Sequence, residues 1–155
     1  MLSPTEMEAI YERNADRVWR VCCSFMRNKH DAEDVMQDIF LKAMCNSIVF
    51  NDEQHEKAWF IVTASNMCKN ALKKRFRFDE DLADYQDLAA PENDHSELIE
   101  ALFALPSSQK ELVYMYYYEG YSTAEIAELL HKRPSTVRSQ LVRARAKMRE
   151  FIEES

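Results

Sequence analysis

A single glycine, Gly120, is the feature that most limits what this 155-residue chain can fold into. Tight β-hairpins and glycine-rich phosphate loops both depend on backbone conformations that glycine adopts most easily. With one glycine in the whole sequence, both are excluded as a basis for the fold, and we predict an all-α protein. Gly120 itself follows a helical pattern, at a place where a helix C-cap needs a positive φ.

The first half of the chain has three segments with apolar residues at helical spacing. They predict helices over about residues 5–27, 31–45 and 57–75. A polar stretch at 51–56 separates the second helix from the third. We predict that these helices form one domain over residues 1–78.

Residues 79–95 are acidic, contain Pro91 and have little periodicity, so we interpret them as a linker that is flexible or only locally helical. Helical spacing resumes at Ser96 and stops at Pro106. We predict that Ser108 and Glu111 cap the next helix, within a second domain over residues 96–155. Tyrosines at 114, 116, 117, 118 and 121 are expected to pack at a helix junction, with their hydroxyl groups at the surface, rather than to stack on bases.

The last quarter of the chain predicts a helix-turn-helix. Ser122 and Glu125 form a capping box at the start of a short amphipathic helix. A second helix follows a turn, and its positions 137, 141, 144 and 148 form one narrow apolar stripe. Small residues bordered by arginines face the opposite way, an arrangement that can enter a major groove.

The net charge of −7 conceals a strong segregation of charge along the chain. Residues 132–149 hold seven basic and no acidic side chains, and residues 69–77 hold another five basic ones. Nine acidic residues and no Lys or Arg lie between 78 and 105. Basic runs of this kind indicate phosphate binding, and one of them lies in the helix-turn-helix.

The sequence gives little support for a metal site, a membrane span or a signal peptide. Cys22, Cys23, Cys45 and Cys68 lack metal-ligand spacing and are expected to be buried free thiols. The four histidines are scattered, and no apolar run is long enough to cross a membrane. The N-terminus lacks the apolar region of a signal peptide. We therefore expect a cytoplasmic protein with no membrane insertion, no metal, no cofactor and no small-molecule substrate.

The order of these elements resembles bacterial RNA polymerase sigma factors, specifically the extracytoplasmic-function class of the sigma-70 family. The segment 31–43 is similar to the second conserved region, and 58–66 followed by 72–75 to its promoter −10 segment. Five short matches are similar to the fourth region: Leu105-Pro106, Tyr121-Ser122, Glu125–Ala127, Thr136–Ser139 and Arg143–Arg145.

The resemblance implies that the second-region helix binds the β′ clamp helices of core RNA polymerase. Polar side chains that share one helical face are the candidates for that contact: Asp34, Gln37, Asp38 and Lys42. It also implies that the third helix binds the opened −10 element, with a base held by the loop at about 48–57. The candidates there are Trp59, Ser65, Asn66, Lys69, Lys73, Lys74 and Arg75, with Trp59 expected to pack rather than to stack on a base.

For the −35 element, the resemblance implies major-groove binding by the last helix. The candidates for base contacts are Ser135, Arg138, Ser139 and Val142, and those for phosphates are Arg133, Arg143, Arg145 and Lys147, with Thr136 beside them. Other implied partners are the polymerase β flap and an anti-sigma factor.

The chain departs from the family pattern in the turn, where His131 and Lys132 replace a glycine and an apolar residue. Either His131 adopts the tight turn conformation, or the turn differs by a residue. Two other functions stay open: a stand-alone helix-turn-helix regulator, and a small all-α enzyme. The complete first domain argues against the regulator. The enzyme lacks a nucleophile–base pair or a cofactor loop, and we expect no catalytic residue.

Overall fold

The computed structural model describes residues 2–46, 48–78 and 96–154, with the backbone alone at 75–78, 96–99 and 151–154. Every regular element in those ranges is helical, which confirms the all-α prediction. The chain divides into two compact units, residues 1–89 and 90–155. The acidic segment 79–95 lies outside the described residues, and the linker stays a prediction.

Three helices make the first unit: α1 (Pro4–Phe25), α2 (Lys29–Cys45) and α3 (Glu53–Phe78). The Ser3 hydroxyl accepts the N–H of Glu6 at 3.2 Å, and the Glu6 carboxylate accepts the N–H of Ser3 at 3.3 Å, which starts α1 with a capping box. The side chain of Asn28 accepts the N–H of His30 at 2.8 Å and starts α2. Each helix packs on the other two, around fully buried side chains from all three: Val18, Cys22, Ile39, Phe60, Ala64 and Cys68.

The start of α3 differs from the sequence-based prediction, because the helix begins at Glu53 rather than near residue 57. A carboxylate oxygen of Asp52 accepts the N–H of His55 at 2.7 Å, and its carbonyl accepts the N–H of Glu56 at 3.1 Å. Residues 53–56 of the polar stretch are therefore the first helical turn, so the loop expected at about 48–57 ends at residue 52. Glu56 points inward and is held by α1, where Arg13 donates to it at 2.9 and 3.1 Å and Asn14 at 3.2 Å.

The second unit contains α4 (Ser96–Phe103), α5 (Ser107–Val113), a π-helical turn (Tyr114–Tyr118), α6 (Thr123–Leu130) and α7 (Pro134–Glu154). Its core draws on every one of these elements: Leu102, Leu112, Met115, Ile126, Val137 and Leu141 are all almost fully buried. α7 packs on α4, α5 and α6, so the last helix is the hub of this unit.

The predicted cap of α5 is wrong. The helix begins at Ser107, and the carbonyl of Pro106 accepts the N–H groups of Gln109 and Lys110 at 2.9 and 3.0 Å, with no side-chain cap. Glu111 is instead buried and pairs with Lys132, whose Nζ lies 3.6 Å from its carboxylate. The sequence around Glu111 is the same whether its carboxylate caps a helix or pairs with a residue twenty-one positions away. The local pattern alone could therefore not separate the two roles.

The π-helical turn widens the end of α5. Glu119 donates its N–H to the carbonyl of Tyr114 at 3.1 Å, five residues back. Gly120 follows with φ 79°, as predicted. Tyr114 and Tyr121 are buried at the junction, which confirms the packing expected of them, although their hydroxyl groups are buried too.

Candidate nucleic-acid and protein interfaces

The helix-turn-helix is built as the sequence predicts. The Ser122 hydroxyl accepts the N–H of Glu125 at 3.1 Å, and the Glu125 carboxylate accepts the N–H of Ser122 at 3.0 Å. At the other end of α6, His131 takes the left-handed conformation with φ 56° and ψ 45°. Lys132 then donates its N–H to the carbonyl of Ala127 at 2.9 Å. His131 therefore accepts the tight turn, and the hydrogen bonds of a helix C-cap are made without glycine.

One face of α7 fixes the helix on its unit. Val137, Leu141 and Ala144 are buried, as the apolar stripe predicts. The side chain of Gln109 on α5 donates to that of Gln140 at 3.1 Å, which adds a polar tie at the edge of this face. These contacts set the rotation of α7 and thereby decide which side chains point outward.

All nine side chains proposed for the −35 element are exposed in the turn and on α7: Arg133, Ser135, Thr136, Arg138, Ser139, Val142, Arg143, Arg145 and Lys147. Val142, an apolar side chain among the basic ones, is 59% exposed. The Ser139 hydroxyl donates to the carbonyl of Thr136 at 3.1 Å, so its oxygen remains available as an acceptor. Cationic, hydroxyl and apolar groups thus lie together on one helix surface.

The candidates for the −10 element differ in their exposure: some lie at the surface of α3, and others are partly or fully buried. Asn66, Lys73 and Lys74 are exposed on α3, and Lys69 is half-buried. Trp59, Asn66 and Lys73 recur every seventh residue, so they lie along one side of the helix over about 21 Å. The Trp59 ring is half-buried, edge-on to Phe60 at 4.9 Å between ring centroids, consistent with the packing role expected of it.

Ser65 does not belong to this surface. Its side chain is 2% exposed and lies in the core of the first unit, so it has no surface to offer DNA. The position was inferred from a linear match, and one residue along a helix turns a side chain by about 100°. The side chain of Arg75 lies outside the described residues.

The polar face of α2 carries all four of the side chains proposed for the polymerase contact. Asp34, Gln37, Asp38 and Lys42 are exposed, and His30 lies 3.5 Å from the Asp34 carboxylate. The opposite stripe, formed by Ala32, Val35, Ile39 and Ala43, is buried in the core.

Beside this polar face lies an apolar groove that the sequence analysis missed. It is a cavity of about 450 Å³ lined mainly by apolar side chains of α1 and α2: Tyr11, Met36, Phe40, Leu41 and Met44, with Glu33 and Gln37 at its edge. Leu41 is 56% exposed and Tyr11 45%. The signal was present in the sequence, because Met36, Phe40 and Met44 recur at i, i+4 and i+8, beside the core stripe.

A second groove, of about 590 Å³, lies between α1 and residues 48–52. Ile10, Ile48 and Phe50 are among its apolar lining, and Glu6, Asp52, Glu53 and Glu56 contribute carboxylates. The hydrogen bond to Glu56 raises the pKa of Arg13 above its ordinary value. This cation therefore stays charged beside Glu56 at every pH of interest.

The described ranges show no sign of a metal site or of a membrane-spanning helix. No group of three or more His, Cys, Asp or Glu side chains is arranged there to hold a metal ion. Among the helices described, none is both long enough and apolar enough to span a membrane.

Comparisons with known proteins match each half of the chain to a family model. The family model described as sigma-70 region 2 matches residues 10–78, and the one described as sigma-70, region 4 matches residues 95–148. Together the two matches cover both units and most of the chain.

Similar proteins cover almost the whole length. RNA polymerase sigma factor SigV of Bacillus subtilis is 29% identical over 138 residues, which is 84% of this chain and 81% of the relative. ECF RNA polymerase sigma factor SigL of Mycobacterium tuberculosis is 28% identical over 87% of this chain and 82% of its own length.

Two solved structures share the fold. The sigma factor RpoE of Bartonella quintana, crystallised with the anti-sigma factor NepR, is similar at a TM-score of 0.75 and 21% identity, over 94% of this chain and 96% of that one. CnrH, in complex with the cytosolic domain of CnrY, has a TM-score of 0.69 and 21% identity, over 99% of this chain and 91% of the other.

Proposed function

Because the chain belongs to the extracytoplasmic-function class of the sigma-70 family, we propose that it binds core RNA polymerase and directs it to promoters with −10 and −35 elements. The observation that carries this function is the pair of family regions in one chain, each on its own compact unit. A stand-alone regulator would need the helix-turn-helix alone, so it is not favoured. The chain contributes binding energy, and phosphodiester chemistry belongs to the polymerase.

The polymerase contact is proposed for the exposed face of α2. Its polar residues Asp34, Gln37, Asp38 and Lys42 would give orientation, since charged and polar groups at an interface select the partner more than they add affinity. The adjacent apolar groove offers the buried contact that affinity requires, with Leu41 and Tyr11 as its exposed anchors. We propose that the β′ clamp helices contact both the polar face of α2 and the apolar groove. The β flap is proposed as the partner of the second unit.

Binding of the −10 element is proposed for the outer side of α3. Lys69, Lys73 and Lys74 would hold phosphates of the opened strand, and Asn66 would bond a base or the backbone. Arg75 continues the same basic run in the sequence. Residues 48–52 precede α3 and border a groove, and we propose that this segment receives an unstacked base.

Binding of the −35 element is proposed for α7 in the major groove. Arg138 is the candidate for a bidentate contact with guanine, and Val142 for a thymine methyl group. Ser135, Thr136 and Ser139 would make the smaller contacts between them. Arg133, Arg143, Arg145 and Lys147 would bind phosphates on either side of the helix and set its register.

An anti-sigma factor is proposed as the inhibitor of this chain. Two similar proteins support this proposal, RpoE in complex with the anti-sigma factor NepR and CnrH in complex with the cytosolic domain of CnrY. An inhibitor that covers the groove on α2 would block the polymerase directly, because one apolar surface cannot be buried twice. We place the protein in the cytoplasm, where the bacterial polymerase works.

The test uses purified core polymerase and two single substitutions of exposed apolar residues. Leu41→Asp puts a charge into the groove on α2 and should abolish retention on immobilised core polymerase. Val142→Asp puts the same charge on α7; it should keep that retention and lose transcription from promoter duplexes enriched by the wild-type holoenzyme. Both side chains are more than half exposed, so both variants should fold.

The pattern of the two variants decides the outcome. Tight binding of the wild-type chain to enriched duplexes without polymerase, combined with no retention on core polymerase, would contradict the proposed function. Equal retention of Leu41→Asp and wild type would leave the sigma function intact and remove the groove from the polymerase contact.

A further inference from the structure

Tyr117 is an exposed aromatic residue beside the last helix. It lies on the π-helical turn, and its side chain is 48% exposed. The guanidinium carbon of Arg145 lies 5.9 Å from the centre of its ring, within reach of a cation–π contact. Tyr116 supports the ring edge-on, with 4.9 Å between the two centroids.

Arg145 is restrained from a second side as well. Its Nε donates to the carbonyl of Leu141 at 3.4 Å, one turn back along α7. A long exposed side chain normally loses much conformational freedom when it binds a partner. Two contacts that already limit its conformations reduce that loss, so the guanidinium has less freedom to lose when a ligand binds.

We propose that Tyr117 is a positioning residue for DNA binding: it holds the Arg145 guanidinium ready for a phosphate beside the −35 element. The inference rests on the proposed function, because Arg145 is a phosphate contact only if α7 lies in a major groove. Tyr117 comes from a different element, the π-helical turn, which precedes the two helices of the helix-turn-helix. It therefore adds a residue to the DNA interface without itself having to touch DNA.

Arg143 offers a matched comparison on the same helix. It is exposed like Arg145 and is also proposed to bind a phosphate. In the described part of the chain, no aromatic ring holds it as Tyr117 holds Arg145. Removal of the Tyr117 ring should therefore weaken the contribution of Arg145 and leave that of Arg143 unchanged.

The experiment is a double-mutant cycle on the holoenzyme, with promoter duplexes enriched by the wild-type holoenzyme as the probe. Tyr117→Leu should weaken duplex binding about two- to fivefold, the size of an exposed cation–π contact. Tyr117→Phe keeps the ring and should restore wild-type affinity. The effect of Tyr117→Leu should vanish in an Arg145→Ala background and persist in an Arg143→Ala background.

The salt dependence separates this inference from the proposed function. Arg145→Ala should lower the slope of log affinity against log salt by about 0.9, the value for one lost phosphate contact. An unchanged slope would remove Arg145 from the phosphate contacts and overturn the inference, while retention on core polymerase and transcription would still decide the sigma function.

An equal effect of Tyr117→Leu with and without Arg145 would also overturn the inference, since Tyr117 would then act through another group. The urea midpoints of all variants are measured alongside, because a merely structural role would lower stability and leave the coupling to Arg145 at zero.

Discussion

His131 carries a backbone conformation that few side chains adopt. With φ 56° and ψ 45°, it ends α6 where helices commonly use glycine. For an L-residue the left-handed conformation costs roughly 1–2 kcal/mol. Among the described residues, it is the one non-glycine position with positive φ, so this turn stores strain that the rest of the second unit must offset.

We expect His131→Gly to stabilise the protein. It relieves the left-handed strain but makes the unfolded chain more flexible, which costs about 0.5–1 kcal/mol; the net gain should be about 0.5–1 kcal/mol. The measurement is the midpoint of urea unfolding. Gly120→Ala is the converse control: φ is 79° and nothing lies within 4 Å of an added Cβ, so it should lose about 1 kcal/mol through conformation alone. A loss of stability in His131→Gly would show that the imidazole makes a stabilising contact.

The four cysteines differ sharply in their environments. The expected burial is confirmed for Cys22, Cys23 and Cys68 and is wrong for Cys45, which is exposed. Burial and the neighbouring Cys22 raise the pKa of the Cys23 thiol from 9.0 to about 12. A hydrogen bond with Cys68, together with burial, raises the pKa of Cys22 well above its ordinary value. Both thiols therefore favour the fold at neutral pH, and this contribution falls as the pH rises above 9.

We expect one fast-reacting thiol in the native protein at pH 8. Only the thiolate reacts, and a thiol with a pKa of about 12 is ionised to roughly one part in ten thousand at that pH. An aromatic disulfide reagent should modify Cys45 within seconds and the other three only on the timescale of unfolding. Cys45→Ser should lose the fast phase completely. A second fast thiol in the wild-type chain would show that the first unit opens locally.

At the scale of elements, one ion pair ties α5 to the turn of the helix-turn-helix. The Glu111 carboxylate is 2% exposed and the Lys132 side chain 29%, with 3.6 Å between Nζ and Oε1. A buried charge depends on its partners, because its desolvation is costly.

We expect Lys132→Met to lower the free energy of unfolding by about 2 kcal/mol, less than for a fully buried pair because Lys132 still reaches water. Removing both charges, in Glu111→Met with Lys132→Met, should recover most of this loss, since well-packed apolar residues replace such pairs at little cost. The measurement is urea unfolding of both variants and of Glu111→Met alone. Additive losses in the double variant would show that the two side chains do not depend on each other.

The elements also show which structural features can be predicted from sequence patterns. The capping box at Ser122 and the apolar stripe of α7 are set by neighbours within a few residues, and both were predicted correctly. Glu56 and Glu111 were misassigned because their partners, Arg13 and Lys132, are distant in sequence. The groove on α2 was missed because only the packing of α1 against α2 shows which apolar side chains remain uncovered.

At the scale of the whole molecule, the net charge of −7 opposes the proposed binding of DNA. The basic residues are concentrated in two runs, and the acidic segment follows the first of them directly, since Asp79 comes two residues after Arg77. Charges closer than a Debye length, about 10 Å at 0.1 M salt, act on each other strongly. Acidic residues at 79–84 should therefore weaken DNA binding more than acidic residues elsewhere in the chain.

The comparison of two triple variants tests this effect of position. Asp79→Asn, Asp81→Asn and Asp84→Asn remove three negative charges that follow the basic run in the sequence. Glu8→Gln, Glu12→Gln and Asp16→Asn remove three from the exposed surface of α1. If proximity decides, the first variant should raise the affinity of the free chain for a 30-base-pair duplex several-fold at 50 mM salt and the second much less. The difference should shrink as salt is raised, because screening weakens the repulsion. Equal gains would show that the repulsion comes from net charge alone. In that case the order of basic and acidic segments along the chain would have no bearing on how the free protein is kept from DNA.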